Sequence, residues 1–505
     1  MIVLLSVLAG GLVLYNSGRP VLTKMHMQNT AESTAYSGAV LVARDYNFSA
    51  YANRAIVANQ VAIAQMVGLR SWARYYCLTY NDQCGNQQSG NDLPSQIQGV
   101  VNRSEVRSIY GLWLSYYKGL SQATFQANRA SDGAIADIAN TLTGLLGKGA
   151  IGFHDAVLGD LAAGAAGQGL LARVMTANDP RAQISTAGKI LIGDAVQNLR
   201  GFTQTYGNST TAQTRLATVV TQGLDGFSKA RGGNEWTPYP LLNPASWIPY
   251  NDQPFSVIWN SYSGGTEWKT GFKTWNAMDV SSVSGFAIWW ISVFGVPIPI
   301  PIPIWTNPPL YFWPNSLSHA AASAGKTADL ATTDNFGEAT GSASYGSSYS
   351  VNTQAADTQN NAGAGNSIAT YSGLPNYEDV SDTQAADFAA PTLSIVLDRP
   401  RATIMTTTQL GVASGTLATP GTEAGGQVEA MATAQAQFAR PQASRSLGGK
   451  IVYGNLFNPY WEAHLAPTPA SVRAMAVASA APCPVLVFRD PGPEGSRSAS
   501  AATPT

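Results

Sequence analysis

Apolar residues open the chain in an unbroken run, Ile2 to Tyr15, that carries no charge. The run breaks at Asn16-Ser17-Gly18-Arg19-Pro20, short of the about 20 apolar residues a membrane-spanning helix wants. With Met1 an internal start, residues 1–22 read as a single membrane anchor helix whose first turn is missing. A buried core helix and a secretory signal peptide are the alternatives, the latter without its basic n-region or a cleavage site. As an anchor, the run places Arg19 and Lys24 just beyond the apolar core, where long basic side chains snorkel. Residues 23–76 continue as a stalk helix. Phe48, Ala52, Ala55, Ala62 and Met66 recur at helical spacing and line one face, with Asn47, Arg54 and Gln65 on another. An alanine-dominated face lets a second helix approach closely, which makes these five residues a candidate subunit-packing face. A core face of the chain's own body is the other reading.

The helical pattern persists through a region spanning 77–232. Gln96 to Asn140 is one or two helices, with Ile109, Leu112, Tyr116, Leu120 and Ala123 in register. Ile151 to Ala177 is another, weakened by Gly159, Gly164, Gly167 and Gly169 and stopped at Asn178-Asp179-Pro180. Thr186 to Tyr206 and Thr211 to Ala230 add two more. From 233 to 318 the pattern turns to β, rich in Trp and Pro, with Phe286 to Phe294 the strongest strand. Proline then alternates with isoleucine from Val296 to Trp305. Every second backbone donor is gone there, so this is an edge or polyproline segment and not a central strand. Residues 319–390 form a low-complexity loop or linker with too few apolar side chains for a core. In the β-rich region 391–490, Pro391 to Leu397 is a strand, and Val428 to Phe438 alternates as a half-buried strand. Residues 491–505 are a disordered tail. The whole is α+β: a single N-terminal membrane and stalk helix, a helical first half, and a β-rich second half with a long low-complexity loop.

Composition narrows the function. Charged residues are 12% of 505, and the net charge is −1. That charged share is about half the usual soluble value. No broad field exists to recruit nucleic acid. Cys77 and Cys84 bracket a short polar stretch and form a disulfide candidate for an oxidising compartment, with Cys483 left over. The four histidines, His26, His154, His319 and His464, lack ligand spacing, and no cofactor is expected. Leu142 and Gly149 spoil the P-loop spacing around Gly147-Lys148. Glu462 and His464 can be posed as an acid–base pair on one strand face, but no nucleophile lies near them in sequence, and polar partners beside Tyr460-Trp461 is the plainer reading. A paired-carboxylate hydrolase or a carbohydrate surface made of the tryptophans stays open as an alternative function.

Two stretches carry a family resemblance. They are Gln28-Asn29-Thr30-Ala31-Glu32-Ser33-Thr34-Ala35-Tyr36-Ser37-Gly38-Ala39 and Asn47-Phe48-Ser49-Ala50-Tyr51-Ala52-Asn53-Arg54-Ala55-Ile56-Val57-Ala58-Asn59-Gln60-Val61-Ala62. They resemble the Flp (tight-adherence) pilus-assembly TadE/TadG-like family, the first like its segment after the membrane helix and the second like the polar-aromatic helix of its larger members. Tyr371 to Tyr377 and Asn455 to Leu465 also look similar to such proteins. The resemblance implies a non-enzymatic, minor-pilin-like component of a Tad pilus system. It implies an inner-membrane, single-pass protein whose body lies in the periplasm or on the cell surface or pilus. Its partners would be other pilus or secretion-system subunits and inner-membrane lipid around the N-terminal helix, with no nucleic acid. Type IV pilins carry a glutamate near the start of the mature helix. Here the first acidic residue is Glu32, which favours a permanently anchored protein over a polymerising one.

Overall fold

A computed structural model describes residues 2–81, 84, 104–207, 210–229, 231–235, 255–269, 274–293, 296–303, 318–324, 367–368, 371–381, 389–404, 426–439, 446–447, 450–451 and 454–479. Expectations that fall on Trp236, Trp247, Trp305, Trp313, Cys483, most of the low-complexity stretch and the tail beyond Asp490 lie outside those residues.

One helix, α1 (Ile2–Tyr80), runs for 79 residues without a break and passes through Pro20. The apolar run ends at Asn16 to Pro20, but the helix does not. An interior proline removes one ladder bond, and the turns on either side hold the helical path. Among the described residues no helix is long and apolar enough to cross a membrane. Lys24 does not reach outward as a snorkelling side chain would; its Nζ donates to the Glu429 carbonyl.

α2 (Ser104–Ala165) packs alongside α1 and joins stretches that the pattern reads as separate helices. It ends where Gly167 and Gly169 both take φ 72°, a left-handed conformation that a side chain resists. α3 (Gly169–Asn178) follows, then the short β1 (Gln183–Ile184). α4 (Thr186–Phe202) is capped by Ser185, whose Oγ accepts from the Gly188 N–H at 3.0 Å. The helix expected to reach Tyr206 stops here. Thr203 to Tyr206 form β2 instead, β-branched and aromatic residues that pair with β9 (Tyr377–Val380). α5 (Thr210–Gln222) and the single turn α6 (Gly226–Lys229) complete the helical half.

The second half is antiparallel sheet. β3 (Arg231–Glu235), β4 (Phe255–Lys269), β5 (Thr274–Val293), β6 (Val296–Pro303), β7 (Ser318–Ala324) and β8 (Ser367–Ile368) form one sheet, with β8 parallel to β7. The proline–isoleucine repeat is β6. Among the described residues it pairs with β5 alone, at an edge, as a strand lacking alternate donors must. β10 (Leu393–Pro400) and β11 (Gln427–Phe438) form the other main sheet with β14 (Trp461–Ala466), in the order β1-β10-β11-β14. β12 (Ser446–Leu447) pairs with β13 (Lys450–Ile451), and α7 (Ala470–Ser479) closes the described chain. The architecture is a mixed α+β fold, helical before residue 230 and mainly sheet after it.

Residues 23–76 do not stand apart as a stalk. Met27, Ala31, Ala35, Ala39, Val42 and Tyr46 of α1 are buried in one core with α2, α3, α4 and the β10-β11-β14 face. Ile56, Ile63, Ala64 and Val67 are buried in a second, against α5, Trp275, Tyr371 and Tyr377. The alanines of β11 explain the close fit: Ala430, Ala432, Ala434 and Ala436 are buried beneath α1, and a small side chain lets helix and sheet backbones approach.

Candidate functional site: a buried polar seam along the long helix

The buried face of α1 has a clear phase. Met27, Ala31, Ala35, Ala39, Val42 and Tyr46 are followed at the same three- and four-residue steps by Ser49, Asn53, Ile56, Gln60, Ile63 and Val67, every one buried. Polar side chains therefore occupy core positions at 49, 53 and 60. A buried polar group is costly unless bonded. Among the described residues Ser49 Oγ, Asn53 Oδ1 and Gln60 Nε2 lack a hydrogen-bond partner, while Asn53 Nδ2 and Gln60 Oε1 bond to chain segments far away in sequence. Asn53 Nδ2 donates to the carbonyls of Glu378, at 2.7 Å, and Leu456, at 2.6 Å. Gln60 Oε1 accepts from Tyr371 Oη at 2.8 Å and from Trp275 Nε1 at 3.2 Å. Just off this phase, Asn47 donates to the Trp461 carbonyl at 2.9 Å and accepts from its N–H at 3.0 Å. Arg54 Nε reaches the Phe457 carbonyl at 2.9 Å.

Asp379 locks the same segments to each other. Its Oδ1 accepts from the N–H groups of Val380 and Leu456 at 2.9 and 2.8 Å, and its Oδ2 pairs with Arg215. The Arg215 guanidinium lies 4.9 Å from the Tyr206 ring centroid, close enough for a cation–π contact. Side chains of the first helix thus take the place of neighbouring strands for the returning segments 377–380 and 455–461.

At the centre of the seam sits His154, on α2. Its Nδ1 meets Asp45 Oδ2 at 2.6 Å and its Nε2 meets Thr203 Oγ1 at 3.0 Å. All three residues are buried, as is Glu378 nearby. Burial alone would lower the His154 pKa, but the Asp45 hydrogen bond and the charges of Asp45, Glu378 and Asp155 outweigh it and hold the pKa up. Burial pushes the Asp45 and Glu378 carboxyls up, each partly offset by His154. The order carboxylate, imidazole, hydroxyl is that of a nucleophile with its base and orienting group. Thr203, however, is 5% exposed, which leaves a substrate carbonyl no approach to its hydroxyl. What the arrangement does is hydrogen-bond a buried imidazole among buried carboxyls where α1, α2, β2 and β9 meet.

A second charged group lies further along the α1–α2 contact. Arg70 Nε is 3.2 Å from Asp132 Oδ2, with Asp132 fully buried. The neighbouring Arg74 is lowered to about 10, by burial first and then by the charge of Arg129. Cys77 and Cys84 are joined by a disulfide at a Cα–Cα distance of 5.9 Å, which ties the residue after the α1 terminus back onto the helix.

The five residues of the proposed packing face differ in exposure. Phe48 is 44% exposed although its ring lies 4.8 Å from that of Phe153 on α2, Met66 packs half-buried against the second core, and Ala52 is buried. Ala55 and Ala62 are half-buried. The physical reason is phase: this set is rotated only slightly from the buried face, so α2 and α5 cover much of it. Glu462 and His464 approach to 3.8 Å on β14, both well exposed, while Trp461 beside them is buried. Of the tryptophans posed as a sugar surface, Trp268 and Trp275 stack edge to face at 5.5 Å, and Trp275 is fully buried. Among the described residues, no three His, Cys, Asp or Glu side chains converge as a metal set.

Sequence reasoning missed the seam because it followed the apolar set Phe48, Ala52, Ala55, Ala62 and Met66, which passes over Asn53 and Gln60. The usable signal was the phase itself: the steps from Met27 to Tyr46, continued unchanged, land on both. No protein-family profile, no curated protein and no solved structure matches this chain.

Proposed function

We propose that this chain is a membrane-anchored, non-enzymatic component of a Tad-type pilus assembly system. One observation carries the reading. The uncharged start of α1 is helical and its large apolar side chains lie open: Val3 is 76% exposed, Leu4 77% and Leu14 73%. Burying one such side chain is worth roughly 1.5–3 kcal/mol, so a row of them calls for an apolar medium. The run from Ile2 to Tyr15 is about 20 Å long at 1.5 Å per residue, against a hydrocarbon core of about 30 Å. Insertion therefore relies on local thinning of the bilayer and on Arg19 reaching the headgroups. The same helix then becomes the central core element of the body, so a force on the anchor passes directly into the folded domain. The polar-aromatic stretch that resembles TadE/TadG-like proteins, Asn47 to Ala62, supplies the seam, which supports a structural role for those residues.

Membrane fractionation with protease accessibility on intact spheroplasts, using a C-terminal tag, tests this. A carbonate-resistant protein whose body is digested from outside is the expected result. Recovery as a free protein overturns the anchor, and recovery in sheared filaments would make it a pilus subunit.

A further inference from the structure

The outer face of α2 carries an uncharged stripe about 55 Å long, at 1.5 Å per residue, from Leu120 to Ala156. Its large members stand open: Ile138 is 61% exposed and Leu145 61%, with Leu142 also exposed. Nothing in the described chain covers them. The stripe also contains Gly149 and Gly152, and a Cβ at either would meet nothing within 4 Å. Glycine weakens a helix. At Gly38, Gly147 and Gly164 this chain's own packing requires it, because an added Cβ would strike Leu393, Asn376 and Leu171. No such neighbour accounts for Gly149 and Gly152, nor for Gly119, Gly133, Gly144 and Gly159 elsewhere on α2; what sets Gly149 and Gly152 apart is their place on the stripe.

We infer that this face is where two copies of the chain pair, α2 against α2, antiparallel about a two-fold axis at Ile138. The argument is the order of side-chain sizes. In an antiparallel pair centred on Ile138, Leu142 faces Ala134 and Leu145 faces Ser131. Further out, Gly149 faces Ala127, Gly152 faces Thr124 and Ala156 faces Leu120. At the axis Ile138 meets its own mate; away from it each large side chain meets a small one, and the glycines let the backbones close. The three- and four-residue steps from Leu120 to Ile138 mirror those from Ile138 to Ala156, so all these positions share the contact. This is the self-complementarity an isologous interface demands, where residue i meets j and j meets i. No charged residue lies among these positions to be buried. A strip this long and about 10 Å wide covers about 550 Å² per copy, about 1,100 Å² in total, which clears the about 1,000 Å² expected of a biological interface and lies at the small end of the range. The inference rests on α2 alone and does not depend on the pilus reading.

Sedimentation equilibrium of the full chain in mild detergent tests it. The expected mass is that of a dimer, and Ile138→Lys, which brings two like charges together at the axis, gives a monomer with unchanged circular dichroism and melting temperature. In a Cys483→Ser background, Ile138→Cys cross-links to its own mate. Ala134→Cys cross-links only when mixed with a Leu142→Cys chain. A monomeric wild type, or a dimer that survives Ile138→Lys, overturns the proposal. Self-cross-linking of Ala134→Cys would mean parallel pairing and overturns it too.

Discussion

The residue with the strongest consequence is His154, because its buried imidazole lies beside two buried carboxyls, Asp45 and Glu378, with the exposed Asp155 adding charge. Asp45 bonds its Nδ1, and Glu378 and Asp155 add charge, so its pKa is held above the ordinary value despite burial. A group whose folded pKa is raised contributes stability that is complete below its unfolded pKa, about 6.5 for histidine. That stability is lost as pH rises through the folded value. Asp45 and Glu378 are raised as well, chiefly by burial. The native state therefore binds protons that the unfolded chain has released above about pH 4, and this acts in the same direction. Stability should fall as pH climbs, with the histidine's share confined to the window above about 6.5. Urea midpoints measured from pH 5 to 9 check this. The wild-type midpoint is expected to drop as the pH rises above about 6.5, and His154→Gln to remove most of that drop. A slope unchanged in the variant would show that the proton resides elsewhere.

Helices and strands were legible to different depths. The edge position of the proline–isoleucine repeat followed from missing donors, and the β11 strand followed from a period of two in spite of its alanines. Both signals are local. The end of α4 at Phe202 was not legible, since β2 exists only because Tyr377 to Val380 pairs with it from far along the chain. The seam was half legible: the phase of α1 was written in the apolar positions, but the polar ones at 53 and 60 were passed over until their distant carbonyl and ring partners were placed. Glycines in α2 separate local from tertiary cause in the same fashion. At Gly133 a Cβ meets nothing within 4 Å, whereas at Gly147 it would strike the Asn376 carbonyl. Gly133→Ala should stabilise by about 0.5–1 kcal/mol through helix propensity alone. Gly147→Ala should destabilise by about 1–3 kcal/mol, because backbone has to shift. Chemical denaturation of the two variants side by side reads the difference, and equal signs would mean that the α2 contact with 376 is not maintained in solution.

For the whole molecule, the order of the chain opposes the order of its contacts. α1 emerges first in sequence, yet it is buried against β10, β11 and β14 and clasped by residues 371–381 and 455–461. α2 to α5 cover part of its core face, but the part over β10, β11 and β14 has no partner until those late segments arrive. Long-range closure of this kind slows folding and leaves apolar surface open meanwhile. A fragment of residues 1–230 holds α1 to α6 but lacks the sheet beneath Met27 to Tyr46 and the groups that bond to Asn53 and Gln60. It should show helical circular dichroism without a cooperative thermal transition, and amides near residues 27–60 should exchange rapidly. Adding the remaining chain in trans should restore protection there first, since Asn47, Asn53 and Arg54 make their bonds to it directly. A cooperative transition in the fragment alone would mean that α2 to α5 suffice to bury α1, and that the seam fastens the late segments onto a body already folded without them.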